Sequence, residues 1–352
     1  MRGLRQIINL ATMTPAIFGI SGLELTADER AFFKEADPVG YILFVRNCEN
    51  KDQLRKLTDD LRSLQGRDRL IVSIDQEGGR VARMKPPVWQ RYPAGEVFAS
   101  LWNIAPATAI EAARVNAEAM GRELAEMGIT VDCHAPLDVR RPETDDVIGD
   151  RALGSEPMQV AALGRAVLDG MSRAGVVGCL KHMPGHGRAT CDTHKELPVV
   201  TASEAELEAD IAPFRTLASH PLGMSAHIVF DAWDAAHPAT LSRTVIDEVI
   251  RTKIGFDGLL LSDDIDMEAL DGTIPERSVR ALDAGCDVVL NCWAKMDDQT
   301  AIAERGGTMK PESLARLERV HEAMGLPLDG PTTEDLLAKR DALLAIGEGT
   351  TA

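Results

Sequence analysis

The sequence has 352 residues, of which 45% are hydrophobic and 26% are charged, and its formal net charge is −17. This composition is typical of a globular protein, and the excess of carboxylates argues against nucleic acid or an anionic membrane surface as a partner. None of the six cysteines lies in a C-x-x-C pair, so we expect reduced thiols in a cytoplasmic protein.

The N-terminal segment has a weak likeness to a signal peptide. Arg2 and Arg5 precede an apolar pair, Ile7 and Ile8, but polar residues interrupt this run and no small-residue cleavage site follows it. No apolar run in the sequence approaches the ~18 residues that a membrane-spanning helix needs. We therefore expect neither a signal peptide nor a membrane span.

Short apolar runs alternate with longer amphipathic segments along most of the chain. Eight runs are predicted to be strands: 16–20, 40–45, 70–74, 129–133, 176–180, 222–226, 259–261 and 287–290. Periodicity and capping residues predict helices at 51–64, 105–127, 157–174, 203–217, 242–253, 276–284, 311–324 and 333–346. This alternation predicts an α/β fold, a single (β/α)8 TIM-type barrel with extra C-terminal helices. We expect one catalytic domain over residues 1–346, with the barrel core at about 16–305, the extra helices at 311–346 and a flexible tail at 347–352.

Polar side chains follow most of the predicted strands, at the point where each strand ends. Asp75, Lys181, His182 and Asp263 are examples. Because the carboxyl ends of all eight strands meet on one face of a barrel, we expect these distant residues to share one pocket. On its position, Asp263 suits a nucleophile, a metal ligand or a structural acceptor. We expect Asp264 to point elsewhere and Asp266 to begin a helix.

Residues 181–194 form the densest group of titratable side chains. The stretch reads Lys-His-Met-Pro-Gly-His-Gly-Arg-Ala-Thr-Cys-Asp-Thr-His and holds three of the eight histidines. Asp192 and His194 are two residues apart, which lets the carboxylate orient the imidazole for general acid–base chemistry. Zinc is the competing interpretation of this loop, but the H-x3-H-x7-H spacing matches no common zinc pattern, so we expect no metal.

These residues also resemble a known family. Residues 181–194 are similar to the K-H-F-P-G-H-G…D-[ST]-H signature of glycoside hydrolase family 3, in its NagZ-type β-N-acetylglucosaminidase branch. Further segments agree in order: 40–47 resembles G-x-I-L-F-x-R-N, 75–83 resembles D-Q-E-G-G-R-V-x-R, 147–154 resembles V-I-G-D-R-S-F-G and 262–267 resembles S-D-D-L-x-M. The matching motifs extend over most of the predicted barrel.

The resemblance implies a retaining exo-glycosidase that needs no cofactor and removes terminal β-linked N-acetylglucosamine. Asp263 would be the nucleophile that forms a covalent glycosyl-enzyme, and His194 would be the general acid/base, oriented by Asp192. Five residues would hold the sugar: Asp75, Arg83, Arg151, Lys181 and His182. The usual substrates of this branch are muropeptides that carry N-acetylglucosamine linked to anhydro-N-acetylmuramic acid, in peptidoglycan recycling. We therefore expect a carbohydrate or muropeptide partner and a cytoplasmic monomer.

The sequence leaves several points open. Arg140 and Arg141 depart from the family pattern and are candidates for binding an acidic leaving group, while His186 is assigned to holding the shape of the loop. A β-glucosidase or a glycoside phosphorylase on the same scaffold is an alternative function, because a histidine acid/base repels phosphate less than a carboxylate does. A lyase or aldolase with Lys181 as a Schiff-base amine, and a non-catalytic sugar-binding barrel, are further alternatives.

Overall fold

The computed structural model describes residues 13–348. The predictions made for the segment around Arg2 and Arg5, and for residues 349–352 of the predicted tail, lie outside the described residues. Residues 347 and 348, the first two of that predicted tail, belong to the last helix instead. The division into one catalytic domain and a tail stays a prediction. Among residues 13–348 no helix has both the length and the apolar character needed to cross a membrane.

The centre of the structure is a parallel β-barrel. Within the described part of the chain its strands are β1 Thr14–Gly19, β2 Pro38–Leu43, β3 Ile71–Ile74, β4 Val131–Asp132, β5 Val177–Gly178 with Leu180–Met183, β6 Leu222–Ser225, β7 Leu259–Asp264 and β8 Val288–Asn291. The first part of β5 pairs with β4 and its second part pairs with β6, while β8 pairs with β1. The ladder is therefore closed, and the predicted (β/α)8 barrel is confirmed.

Helices surround the barrel. Between residues 13 and 348 they are α1 Ala27–Ala36, α2 Lys51–Gln65, α3 Gly95–Trp102, α4 Pro106–Glu126, α5 Pro157–Arg173, α6 Glu204–Thr216, α7 Val245–Lys253, α8 Ile274–Ala284, α9 Met296–Arg305, α10 Pro311–Ala323 and α11 Thr333–Glu348. Helix α7 has π-type hydrogen bonding. Short 3-10 turns lie at Val45–Asn47, Gly149–Arg151 and Ala239–Leu241, and a small second sheet joins Val199–Val200, Val229–Phe230 and Asp234–Pro238. The predicted helices are all present, whereas α1, α3, α9 and the small sheet were not predicted.

Side chains alternate between the two faces of each barrel strand. Ile17, Ile71, Val177, Leu259 and Val288 belong to one buried apolar cluster, which fills the barrel interior. Their neighbours along the strands belong to a second cluster with the inner faces of the helices. The packed interior is typical of such barrels, in which the strands enclose a core and the site lies above it at the C-terminal face.

Candidate active site

A cavity of about 340 Å³ opens at the C-terminal face of the barrel. Residues at or just after the C-terminal ends of β2, β3, β5, β6, β7 and β8 line it, together with residues from the β4–α5 connection and from the loop after β5. Seven of the eight residues singled out from the sequence line this cavity: Asp75, Arg83, Arg151, Lys181, His182, His194 and Asp263. The eighth, Asp192, contacts His194. The fold thus brings together residues as far apart in the sequence as Asp75 and Asp263, which are separated by 188 positions.

The two-residue period of the strands explains why three of these side chains point inward. On β7, Leu259 and Leu261 belong to the interior cluster and Asp263 comes next in the same alternation. On β5, Cys179 is interior and Lys181 follows two residues later. On β3, Ile71 is interior and Asp75 continues the alternation four residues on. Each strand therefore ends its apolar face with a charged group at the mouth of the barrel.

Two strands lose this alternation close to the cavity. The pairing of β5 with β6 shifts register between Leu180 and Met183, and the pairing of β7 with β8 shifts between Leu261 and Asp264. Such irregularities turn consecutive side chains towards the same side. As a result His182 lines the cavity beside Lys181, and Asp264 lines it beside Asp263. Asp264 Oδ1 accepts hydrogen bonds from the backbone N–H groups of Asp266 and Cys292, so its carboxylate is directed to the end of β8, and the prediction that it points away from Asp263 stays a prediction.

A network of ion pairs forms one wall of the cavity. The ammonium of Lys181 lies 2.6 Å from Glu77 and 3.4 Å from Asp75. Arg151 donates two hydrogen bonds of 2.8 Å to the carboxylate of Glu77, and Arg83 lies 3.0 Å from Asp75. Lys181 and Glu77 are almost completely buried. Because buried charges are costly unless they are paired, this network holds its members in fixed positions before any ligand arrives.

The network sets the protonation states of its members. Burial would raise the pKa of Glu77, but the charges of Arg151 and Lys181 outweigh it and hold that pKa well below its ordinary value. Burial would lower the pKa of Lys181, but Glu77 and Asp75 outweigh it and raise that pKa. Lys181 is therefore a protonated, immobilised ammonium. A Schiff-base nucleophile must be a free amine, so this environment argues against the lyase or aldolase alternative.

Replacing Glu77 with glutamine tests how strongly this network stabilises the fold. We expect Glu77→Gln to lower the free energy of unfolding by about 3 kcal/mol at pH 7, because it leaves buried cations undercompensated. The folded-state pKa of Glu77 is depressed, so its contribution is complete above the unfolded pKa and is lost as pH falls through the folded pKa. In urea unfolding, the gap between the two proteins should be constant above about pH 5 and should narrow on acidification.

Glu96→Gln is the matched control for that measurement. Glu96 pairs with Arg140 at 2.8 Å, but its side chain is 52% exposed. Removing this surface pair should cost less than about 1 kcal/mol. Equal losses in Glu77→Gln and Glu96→Gln would contradict a stabilising role for the buried network.

A buried carboxylate, Asp138, organises the start of the loop after β5. It accepts hydrogen bonds from the ring of His182 at 2.8 Å, from the backbone N–H of His182 at 3.2 Å and from that of His186 at 2.6 Å. Burial would raise the pKa of Asp138, but the two histidines outweigh it and lower that pKa. The paired ring atom of His182 is Nδ1, so its Nε2 is free of that contact, and the ring lines the cavity. The ring of His186 is buried beside it, and burial lowers its pKa to about 4.

The loop after β5 has two parts with different environments. Residues 183–187 are buried, and Arg188 pairs with Asp210 of α6 at 2.7 Å. Residues 190–197 are largely exposed, and His194 is 65% exposed at its side chain. The carbonyl of Thr193 accepts a hydrogen bond of 3.2 Å from Ala269, which ties this second part to the connection after β7. The prediction that the second part is mobile stays a prediction.

Asp192 and His194 form the pair that their spacing predicts. Asp192 Oδ1 lies 2.8 Å from His194 Nδ1 and also accepts a hydrogen bond of 2.9 Å from the His194 backbone N–H. Burial would raise the pKa of Asp192, but its hydrogen bonds from His194 outweigh that effect and lower the pKa. The carboxylate thus fixes the ring by Nδ1, which leaves Nε2 available on the side of the cavity that His194 lines.

The pKa of the Asp263 carboxyl is lowered, so Asp263 is ionised at neutral pH. Burial would raise the pKa of its carboxyl, but the imidazoles of His182 and His227 outweigh it and lower that pKa. The backbone N–H of Asp264 donates a hydrogen bond of 2.8 Å to Asp263 Oδ1. An ionised carboxylate that lines a cavity and faces histidines is suited to nucleophilic attack or to stabilising a cation.

The prediction that Asp266 begins a helix was wrong. The next helix, α8, begins at Ile274, and Asp266 lies in the turn after β7. Its Oδ2 accepts hydrogen bonds of 2.9, 2.9 and 3.1 Å from Asn291 Nδ2, Cys292 N and Trp293 N. Asp266 therefore joins the ends of β7 and β8 at the rim of the cavity.

Several contributors to the site were not recognised from the sequence. Glu77 lies inside the D-Q-E-G-G motif, so a search for a partner of Lys181 would have found it. Asp210 pairs with both Arg141 at 3.2 Å and Arg188, a contact across 69 residues that no local pattern signals. Arg140 pairs with Glu96 instead, and neither Arg140 nor Arg141 lines the cavity, so the structure does not support their assignment to an acidic leaving group. No three His, Cys, Asp or Glu side chains among residues 13–348 are grouped so that they could hold a metal ion.

Known proteins resemble this chain over most of its length. The family described as "Glycosyl hydrolase family 3 N terminal domain" matches residues 6–323. The chain belongs to glycosyl hydrolase family 3. The hydrolase is 38% identical to a β-hexosaminidase of Alkalilimnicola ehrlichii over 87% of this chain and 88% of the relative. It is 34% identical to a β-hexosaminidase of Bordetella avium over 89% of both.

Solved structures agree with this placement. The hydrolase superposes on NagZ from Neisseria gonorrhoeae, in complex with N-trifluoroacetyl-D-glucosamine, with a TM-score of 0.82 and 31% identity, over 97% of this chain and 99% of the other. A family 3 β-N-acetylglucosaminidase from Paenibacillus sp. str. FPU-7 gives a TM-score of 0.84 and 28% identity, over 97% of this chain and 68% of the other. The protein is thus a glycoside hydrolase of the β-hexosaminidase type.

Proposed function

We propose that the hydrolase is a retaining exo-β-N-acetylglucosaminidase that works through a covalent glycosyl-Asp263 intermediate. The observation that carries the proposal is that the Asp263 carboxylate and the His194 ring line the same cavity as a rigid polar wall. A retaining mechanism needs a nucleophile and a separate proton donor that act on one glycosidic bond. Asp263 and His194 supply these two groups, and the polar wall supplies the site for the sugar that is cleaved off.

Asp263 attacks the anomeric carbon while the bond to the leaving oxygen breaks. Its lowered pKa keeps the carboxylate ionised at neutral pH, as a nucleophile requires. In the second half of the reaction, water attacks the anomeric carbon and releases Asp263 as a carboxylate. Two displacements at one carbon return the original configuration.

His194 handles the proton in both halves. It donates the proton from Nε2 to the leaving oxygen, and then accepts a proton from the attacking water. Asp192 holds Nδ1, so the two roles fall to the other ring nitrogen. An imidazole titrates near neutral pH without a large shift, whereas a carboxylic acid would have to be buried to stay protonated there.

The sugar is held by four residues of the rigid wall and by the His182 ring beside it; the four are Asp75, Arg83, Arg151 and Lys181. Carboxylates, guanidinium groups and an ammonium in fixed positions match the hydroxyl groups of a pyranose ring. A cavity of about 340 Å³ is at the small end of the range for ligand pockets, which suits one terminal residue. The ligand of a related structure supports N-acetylglucosamine as the terminal sugar, because NagZ from Neisseria gonorrhoeae was crystallised with an N-acylated glucosamine derivative.

The natural substrate proposed is a muropeptide in which N-acetylglucosamine is linked to anhydro-N-acetylmuramic acid. Under this proposal the enzyme is a cytoplasmic monomer in peptidoglycan recycling, without a cofactor and without nucleic acid or membrane as a partner. The net charge of −17 supports the last part, because both of those partners are polyanions. Comparing turnover of this muropeptide with turnover of N-acetylglucosamine and glucose aryl β-glycosides tests the assignment. A preference for the glucoside would contradict it.

Trapping of the intermediate tests the mechanism directly. A 5-fluoro N-acetylglucosaminyl donor slows both steps and lets the glycosyl-enzyme accumulate, because fluorine destabilises the cationic transition state. After digestion, mass spectrometry should locate the glycosyl adduct on the peptide that contains Asp263. An adduct on another residue, or a product of inverted configuration, would exclude the proposed mechanism.

Asp192→Asn separates orientation of His194 from proton transfer. The amide keeps the size of the side chain but loses the charge that favours the Nδ1-protonated ring. We expect kcat to fall about 10- to 100-fold on unactivated glycosides, with little change in KM, because the ring itself remains. Steady-state kinetics with a disaccharide measures both constants. A change in KM alone would indicate that Asp192 binds substrate instead.

A further inference from the structure

An exposed aromatic side chain lies at the rim of the cavity. Trp293 follows β8 directly after Cys292, which lines the cavity, and its side chain is 63% exposed. Packing a ligand against an exposed indole ring removes apolar surface from water, which favours binding. Trp293 takes no part in the proposed nucleophilic attack or in the proton transfers.

The backbone around Trp293 is fixed in place. Its N–H donates to Asp266, which holds Asn291 and Cys292 through the same oxygen. Ala294 has a φ of 56°, which is unusual for a residue with a side chain, and the turn brings Lys295 back over the indole. The Lys295 ammonium lies 5.9 Å from the ring centroid. Across residues 13–348, no ion pair involves Lys295, although the protein carries an excess of carboxylates.

Trp293 lies across the barrel from the wall that would hold the sugar. The wall that holds the sugar is built from residues after β3, β5 and from the β4–α5 connection, which is the opposite side of the barrel from β8. The acid/base loop rests on the connection after β7 through Thr193 and Ala269, and Asp266 of that same connection holds Trp293. The connection after β7 therefore contacts both the acid/base loop and Trp293.

We propose that Trp293 and Lys295 form a leaving-group subsite that takes a sugar ring bearing a carboxylate. The indole packs against the C–H face of the ring, and the ammonium pairs with the carboxylate. This inference rests on the proposed function, which supplies the sugar bound in the cavity. With this subsite the enzyme prefers acidic disaccharides, although the net negative charge of the chain repels anions.

Three substrates and three variants test the subsite. The substrates share N-acetylglucosamine and differ in the leaving group: methanol, N-acetylglucosamine or the carboxylate-bearing N-acetylmuramic acid. Trp293→Ala should raise KM about tenfold for both disaccharides and less than twofold for the methyl glycoside, because only a ring leaving group reaches the indole. Trp293→Phe keeps an aromatic face and should recover most of the loss. Lys295→Gln should raise KM about threefold for the muramic acid disaccharide alone.

The outcomes separate this inference from the proposed function. Turnover of the methyl glycoside by the wild-type protein tests the function, and its absence would overturn both. If that turnover is present, equal effects of Trp293→Ala on all three substrates, or no effect on the disaccharides, would overturn the subsite alone. The disaccharide with a neutral leaving group is the control for Lys295→Gln. An equal rise in KM on this substrate would reject the ion pair between Lys295 and the carboxylate.

Discussion

Asp263→Ala is expected to lower kcat by at least about 10⁴-fold, because without a nucleophile the covalent intermediate cannot form. Binding should remain close to that of the wild-type protein, since the polar wall around Lys181 and Glu77 is untouched. Calorimetric titration with N-acetylglucosamine and kinetics with an aryl glycoside measure the two effects separately. Retention of even a tenth of the activity would remove Asp263 from the role of nucleophile.

A small anion sharpens the experiment on Asp263→Ala. Alanine leaves space in which azide or formate can attack the anomeric carbon in place of the carboxylate. Rescue of turnover by azide, with a glycosyl azide of α configuration as product, would identify the missing group as the nucleophile itself. Asp283→Ala, at an exposed position on α8, serves as the control and should keep full activity.

His194→Ala is expected to lower kcat on unactivated disaccharides by about 10²- to 10⁴-fold, which is the usual contribution of a general acid or base. Glycosides whose leaving group needs no proton, such as dinitrophenyl glycosides, should lose far less in the step that forms the intermediate. Because the His194 side chain is 65% exposed, its removal should not change the free energy of unfolding. Parallel kinetics on the two substrate classes tests the assignment, and equal losses on both would count against it.

The chain offers a matched control for His194. His237 is also an exposed histidine paired with an aspartate, Asp234, at 3.2 Å, but it belongs to the small second sheet and does not line the cavity. His237→Ala should leave kcat and KM unchanged on every substrate. A similar loss in both variants would show that the effect of His194→Ala is not specific to proton transfer.

The fold was largely predictable because its signals are local. Each barrel strand is a short apolar run, and each predicted helix has a periodic or capped pattern. Helix α1 was missed even though a capping box marks its start: Thr26 accepts from the Glu29 N–H at 3.1 Å and Glu29 accepts from the Thr26 N–H at 2.8 Å. The small sheet was missed for a different reason, since two of its strands have only two residues and carry no periodic pattern.

The candidate site was predictable where it depends on strand ends and motifs. Asp75, Lys181 and Asp263 follow from the barrel alternation, and the pairing of Asp192 with His194 follows from spacing. What the sequence did not reveal depends on three-dimensional detail. A register shift interrupts the alternation at the end of β7, and the partnership of Asp210 with two arginines joins segments that are far apart in the chain.

The division of the loop after β5 has a consequence for how the enzyme can be altered. The first part of the loop is held by hydrogen bonds to Asp138 and by the ion pair of Arg188 with Asp210 of α6. Residues 190–197, apart from the buried Thr193, are largely exposed. Fold stability and proton transfer thus reside in different stretches of chain. Substitutions at the exposed positions of the segment that carries His194 should therefore tune the rate and the choice of leaving group without a loss of thermal stability.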